Sequence, residues 1–356
     1  MMSSCYANYL PELVYEGQIS EKLIDEAVLR ILKLKRDLGL FENPYHGADS
    51  KMEKKTILSK GIKEMAKSVS DRSIVLLKNE NILPLSKKTK ALGIIGPYVT
   101  ARHILGGWSC FGEDNDAANL LETISEKLEY KEIFIAKGCD VEGDMLNIEE
   151  IDRVIDKCDE LILAIGEHPG MSGEAGSRAI LDLPGRQKDL CRHVFSKSKR
   201  CIVVLFNGRP LDIRELESGA GAIIEAWFPG TQGAYSLADL IFGDIEPEGR
   251  LTMSFPYAVG QIPVHYNCFN TGRPKVGDVD DYFKSGYLDI PNEPLYPFGF
   301  GLSYTTFEYS DPVLDKTEIN HTQKINVRVR VKNTGKRKGF ELVQLYIRDL
   351  TGSVVR

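Results

Sequence analysis

From about residue 61 onward, short continuous apolar runs alternate with amphipathic helical ones. The apolar runs cover residues 91–95, 133–136, 161–165, 201–206 and 222–227. Between them the spacing predicts helices over 118–128, 148–157, 186–196 and 233–242. Strands that are apolar on both faces need a cover on both faces, so this order predicts an open, mostly parallel α/β sheet flanked by helices. Four of the runs lead into a glycine, at Gly96, Gly138, Gly166 and Gly208. A glycine there suits the tight turn that ends a strand.

The ends of the chain read differently. Leu23, Ile24, Ala27, Val28, Ile31, Leu32 and Leu38 recur at helical spacing after Ser20, a candidate N-cap, and the helix should stop near Gly39. Such an apolar stripe needs a domain to pack against, and too little chain precedes it to supply one. After Glu308 the period becomes two: Ile325, Val327, Val329 and Val331 alternate with polar residues, Asn333-Thr334-Gly335 turns the chain, and 342–348 reads as a further strand. That begins a β-sandwich for which too few strands remain before Val355-Arg356. Both ends therefore predict a fragment of a longer protein. Residues 256–304, rich in Gly, Pro, Tyr and Asn, read as an ordered surface excursion.

A net charge of −6 argues against a nucleic-acid partner. The basic cluster within 332–338 reads as a solvated hairpin tip. No apolar run approaches the ~20 residues of a membrane helix. Met1-Met2-Ser3-Ser4-Cys5 lacks the charged and apolar regions of a signal peptide. The 7 cysteines are scattered singly, which favours a reducing, cytoplasmic setting over a periplasmic or secreted one, and neither Cys nor His shows metal-ligand spacing.

Chemistry concentrates in one loop. After the 161–165 strand come Gly166-Glu167-His168-Pro169-Gly170-Met171-Ser172-Gly173-Glu174-Ala175-Gly176-Ser177-Arg178. Open α/β sheets place ligands beyond the carboxyl ends of their strands. The glycine triplet of a dinucleotide site, the lysine-serine signature of a P-loop and the G-x-S-x-G nucleophile elbow are all missing. Carboxylate chemistry remains, with Glu174 among small residues that let a substrate approach. On residue pattern alone, Glu174 reads either as a catalytic group or as a solvated side chain on a mobile loop.

The order of motifs then adds a resemblance. Gly173-Glu174-Ala175-x-Ser177-Arg178, Leu183-Pro184-x-x-Gln187, Asn207-Gly208-Arg209-Pro210 and Ala226-Trp227-Phe228-Pro229-Gly230 follow one another. Gly249-Arg250-Leu251, Gln261-Ile262-Pro263, Asn270-Thr271-Gly272-Arg273-Pro274 and 295–305 come next. This series, spanning almost the whole chain, resembles the C-terminal α/β sandwich of glycoside hydrolase family 3, and most closely its bacterial β-glucosidases of the periplasmic type with a trailing fibronectin-III-like domain. The resemblance implies that residues 1–45 are the end of an N-terminal (β/α)8 barrel and 46–60 a linker. It makes 61–306 the α/β sandwich carrying the acid/base, and 307–356 a truncated fibronectin-III-like domain.

It also implies a retaining two-carboxylate hydrolysis of terminal β-D-glucosyl residues, with no metal or organic cofactor. The nucleophile would be a barrel aspartate with no counterpart in this chain, so the fragment alone is expected to be inactive. Glu174 matches the acid/base position, and Glu167 is its rival. Arg178 would orient the loop or pair with a carboxylate. His168 would position or hydrogen-bond, or be a plain loop residue. Trp108, after Gly106-Gly107, would approach the cleft or be buried. The partner implied is a β-glucoside or oligosaccharide, with neither nucleic acid nor membrane, and with room for a homo-oligomer. Sugar specificity rests largely on the barrel, so β-xylosidase and α-arabinofuranosidase activities stay open, as does a non-catalytic carbohydrate-binding or scaffold module.

Overall fold

In the computed structural model the apolar runs pair into one sheet. The structure describes residues 4–130, 132–198, 200–269, 271–275 and 282–352. Met1 to Ser3, Asn270 and Val355-Arg356, named above, lie outside the described residues. The chain divides into two units, Met1–Ile62 and Lys63–Arg356.

In the first unit, helices α1 (Cys5–Tyr15), α2 (Glu21–Asp37) and α3 (Ser50–Thr56) contain no buried residue. Ser20 occupies the N-cap position of α2 in extended conformation, although its side chain makes no capping bond. Gly39, at φ 69°, takes the left-handed conformation that ends a helix. Residues of the apolar stripe are exposed, Leu23 and Ile31 each by more than half.

The second unit starts within α4 (Lys60–Ser73). Its strands are β1 (Val75–Asn79), β2 (Ala91–Ile95), β3 (Glu132–Ala136), β4 (Glu160–Gly166), β5 (Cys201–Phe206) and β6 (Ala222–Glu225). They form a 6-stranded sheet in the order β1-β6-β5-β4-β2-β3. All neighbours are parallel except β1, which runs antiparallel to β6. β1 is the strand that periodicity alone does not pick out, because Val75-Leu76-Leu77 merges with the end of α4.

Alternation along each strand separates two cores, as the pleat requires. Leu92, Ile94, Ile162, Ala164, Ile202, Val204 and Ile224 point to one side, under α5 (Leu120–Lys127) and α9 (Gly233–Ile241). Ile95, Leu161, Leu163, Ile165, Val203, Leu205 and Ile223 point to the other, under α6 (Ile148–Ile155), α7 (Gln187–Lys197) and α8 (Arg214–Gly219). Each such side chain, fully buried, contributes about 1.5–3 kcal/mol. This two-sided burial is why β4 and β5 read as unbroken apolar runs.

The chain passes β2, crosses over to β3 at the edge, then returns to place β4 on the opposite side of β2. The loops after β2 and β4 therefore diverge from adjacent carboxyl ends, the arrangement that opens a ligand crevice in α/β sheets. Gly166 must be glycine: its φ is 149°, and a Cβ there would stand 1.8 Å from the Phe206 carbonyl oxygen.

Beyond the sheet, buried Gln261 ties the surface excursion together by donating to the carbonyls of Pro291 and Glu293 at 2.8 and 3.1 Å. Two short antiparallel pairs follow. β7 (Phe307–Tyr309) pairs with β10 (Val331–Asn333), and β8 (Val313–Leu314) with β9 (Val327–Arg328). Residues 342–348, expected as a strand, join no ladder among the described residues. In the 332–338 cluster Lys332, Lys336 and Lys338 are exposed as expected, and only Arg337 is half-buried. Arg337 pairs with Glu246 at 2.9 Å, donates to Gly243 O at 2.6 Å and lies over the Tyr304 ring.

Candidate active site

The loop that holds Glu174 leaves β4 at Gly166 and is fixed at its root. Gln187, the first residue of α7 and fully buried, brackets Gly166 with its side-chain amide. Its Oε1 accepts from Gly166 N and its Nε2 donates to Gly166 O, both at 2.8 Å, with further donation to Val141 O at 3.0 Å. The spent strand end is thereby satisfied without water.

Glu167 follows, 0% exposed. A buried carboxylate needs partners, and three converge on it. Arg178 Nη1 donates to Oε1 at 2.6 Å, and Arg209 Nε lies 3.4 Å from the same oxygen, an ion-pair contact without hydrogen-bond alignment. Gly208 N donates to Oε2 at 3.3 Å. The Glu167 backbone is held as well: its N–H donates to Phe206 O at 2.7 Å, and its carbonyl accepts from the Tyr98 hydroxyl. Tyr98 stacks on Phe206 with ring centroids 4.5 Å apart, and burial raises its phenol pKa.

Residues 168–177 then run out and back. His168 is exposed and caps a short turn, Pro169–Met171, by accepting from Gly170 N at Nδ1, 3.1 Å away. Arg209 Nη2 donates to the Met171 carbonyl. At the tip, Gly173 and Gly176 form an antiparallel bridge, and Gly176 N donates to Gly173 O at 3.3 Å. Glu174 and Ala175 are the two central residues of this turn and both are exposed. Ala175 sits at φ 59°, an uncommon conformation for a residue with a Cβ. Strain of this sort persists where the surroundings impose it.

The loop after β2 packs alongside. A Cβ added at Gly107 would lie 3.1 Å from the carbonyl oxygens of Pro169 and Ser172, and one at Gly173 would lie 3.5 Å from Trp108 Nε1. Trp108 is 67% exposed, so it belongs to the surface beside Gly173 rather than to the core. His103 from the same loop lies 5.2 Å, ring to ring, from His168. Burial, and then the neighbouring His168, lower the His103 pKa, and its buried Nε2 has no hydrogen-bond partner.

Two members of this constellation escape sequence reasoning. Tyr98 sits in a turn with no motif of its own. Glu225, fully buried, hides inside the apolar run 222–227, where a lone carboxyl among apolar residues is the signal that was available. Its Oε1 accepts from Trp227 N at 2.9 Å and its Oε2 from Asn207 Nδ2 at 3.2 Å. Burial pushes the Glu225 pKa well above the usual carboxylate range, against those two hydrogen bonds, and the charge of Glu167 adds to the rise. Asn207 Nδ2 also donates to Arg209 O at 2.8 Å, so one amide links the ends of β5 and β6. Glu167, Asn207 and Glu225 thus stand at the carboxyl ends of three adjacent strands.

A cavity of about 490 Å³ opens beside the arginines, with Ser177, Arg178, Arg209, Pro256, Tyr266 and Phe298 in its walls. Its lining is mainly apolar, and Glu174 is not part of it. Among the described residues there is no cluster of His, Cys, Asp and Glu that could hold a metal ion, and no helix is long and apolar enough to cross a membrane.

This two-faced α/β sheet is shared with known proteins. Residues 74–304 match the glycosyl hydrolase family 3 C-terminal domain. The chain belongs to glycoside hydrolase family 3. It is 37% identical to the periplasmic beta-glucosidase of Salmonella typhimurium, over 100% of this chain and 50% of that protein. It is 38% identical to a beta-xylosidase of Formosa agariphila, over 100% of this chain and 49% of that one. Among solved structures, the beta-glucosidase from Listeria innocua in complex with isofagomine superimposes with a TM-score of 0.89 at 41% identity, covering 100% of this chain and 50% of that one. The chain spans about half the length of the relatives it matches.

Proposed function

We propose that this chain supplies the proton-transfer half of a retaining β-glycosidase, with Glu174 as general acid and base. The observation that carries the reading is the placement of Glu174: an exposed carboxyl at the tip of a turn whose root is buried and multiply bonded. A group that must meet a substrate bound elsewhere needs reach at its tip and rigidity at its base.

Glu167, the rival, is enclosed by Arg178, Arg209 and Gly208 N, so its oxygens are engaged within the domain. This supports Glu174 as the group offered outward. In the proposed first step a second carboxylate attacks the anomeric carbon. The bond to the leaving oxygen breaks, and the Glu174 proton passes to that oxygen. In the second step the Glu174 carboxylate takes a proton from water. The water oxygen bonds the anomeric carbon and displaces the second carboxylate, which restores both groups.

The names of the relatives support a β-glucoside as substrate. The nucleophile is expected on the barrel that the family resemblance implies, so these 356 residues alone are expected to be inactive. A β-xyloside is the second reading, favoured by the similarity to a beta-xylosidase. The test is Glu174→Ala in the full-length gene product, assayed on glucosides with good and poor leaving groups. A loss of kcat/KM confined to poor leaving groups supports the assignment, and unaffected kcat and kcat/KM on both refute it.

A further inference from the structure

We propose that Glu167 is a positioning residue that sets the reach of the Glu174 turn; this rests on Glu174 being the acid/base. Its carboxylate joins both ends of the loop. Arg178, immediately after the turn, bonds Oε1 at 2.6 Å, so residues 168–177 leave from Glu167 and return to it. Arg209, on the neighbouring strand end, contacts the same oxygen at 3.4 Å and donates to the Met171 carbonyl midway along the outgoing limb. One buried carboxylate therefore orients two guanidinium groups, and these grip the loop at its middle and its end.

The remaining contacts explain why the grip is stiff. Gly208 N bonds Oε2, and Gly208 is glycine because a Cβ there would overlap the Ser172 side chain. Asn207 fixes the Arg209 carbonyl and is itself bonded to buried Glu225. Beyond the grip, the tip has, among the described residues, only its own Gly173–Gly176 bridge and the neighbouring Trp108. The position of the Glu174 carboxyl is thus set at the base. A glutamine at 167 keeps the size of the side chain but loses the charge that holds both arginines.

A displaced acid and a poorly folded protein differ in their signature. Partial unfolding lowers the active fraction equally for every substrate. Displacement of the acid lowers kcat/KM only for substrates whose leaving group needs a proton. Glu167→Gln in the full-length gene product is expected to lower kcat about 100-fold on an alkyl β-glucoside, the order a 1 Å misplacement produces. KM on that substrate should be unchanged, as should kcat/KM on a dinitrophenyl β-glucoside, whose departure needs no proton. Arg178→Lys, which keeps the charge but not the planar fork, should show the same pattern at smaller size and covers the case in which Glu167→Gln fails to fold.

Equal losses on both substrates overturn the proposal. Unchanged rates in Glu167→Gln, with Glu174→Ala selectively impaired, overturn it while leaving Glu174 as the acid/base. If added azide restores turnover to Glu167→Gln and Glu174→Ala is unimpaired, Glu167 is itself the donor and both readings fall.

Discussion

Arg178 and Glu167 meet at 2.6 Å across the base of the loop that carries Glu174, with the carboxylate 0% exposed and the guanidinium largely covered. Removing the arginine would leave a buried negative charge with only the more distant Arg209. Losing one partner of a buried pair is far more costly than losing a surface pair. Arg178→Ala is expected to destabilise the folded chain by roughly 3 kcal/mol, read as a lower urea midpoint with unchanged slope. A shift within error would mean that Arg209 and Gly208 N suffice.

Glu225 gives a pH prediction. Its pKa is raised in the folded state, chiefly by burial. Below the ordinary carboxyl range, about 4–4.5, the group is protonated in both folded and unfolded chains and costs nothing. As pH rises above that range the unfolded chain loses the proton first, so stability falls until the folded-state pKa is passed. Glu225→Gln removes this dependence and can still accept from Trp227 N. The stability of wild type relative to the variant should decline from pH 4.5 toward neutrality in parallel denaturation series. A pH-independent difference would show that Glu225 ionises freely in the fold.

Trp108 stands exposed against Gly173, one residue from Glu174. An indole in that position offers a face for a sugar ring. In the full-length gene product Trp108→Ala should raise KM about tenfold, the loss of about 1–1.5 kcal/mol of ring contact, while the kcat dependence on leaving group stays as in wild type. An unchanged KM would remove Trp108 from the binding surface.

Thiol chemistry tests the packing independently. Cys139, Cys191 and Cys201 are buried, and Cys158 is half-buried. Burial pushes the Cys139 and Cys158 thiols up to about 11, and those of Cys191 and Cys201 higher still. The thiolate is the reactive form. At pH 7.5, Cys5, Cys110 and Cys268 should alkylate quickly and the other four only on unfolding. Rapid native labelling of Cys191 or Cys201 would contradict the two-sided core.

How much of this the residues disclose depends on the kind of signal. Strands β2, β4, β5 and β6 were legible because burial on both faces leaves continuous apolar runs, edge strand β3 by its apolar residues despite partial exposure, and the loop after β4 because glycine and charge end its run. β1 was not, since an antiparallel edge strand fused to a helix end carries no separate period. The roles of Glu167 and Glu225 lie outside any local pattern. Their partners Arg178, Arg209 and Asn207 are brought together only by the lateral order of the strands. Arg337 misled for the same reason, because its partner Glu246 is distant in sequence and adjacent in space.

The central claim is that Glu174 moves the proton. The most direct measurement is product analysis of Glu174→Ala, in the full-length gene product, turning over a dinitrophenyl β-glucoside with and without azide. The account predicts slow release of glucose without azide, because no group activates the water. With azide it predicts faster turnover and a β-glucosyl azide product, since that anion needs no base. Glucose release at the wild-type rate, with no azide adduct, would contradict it.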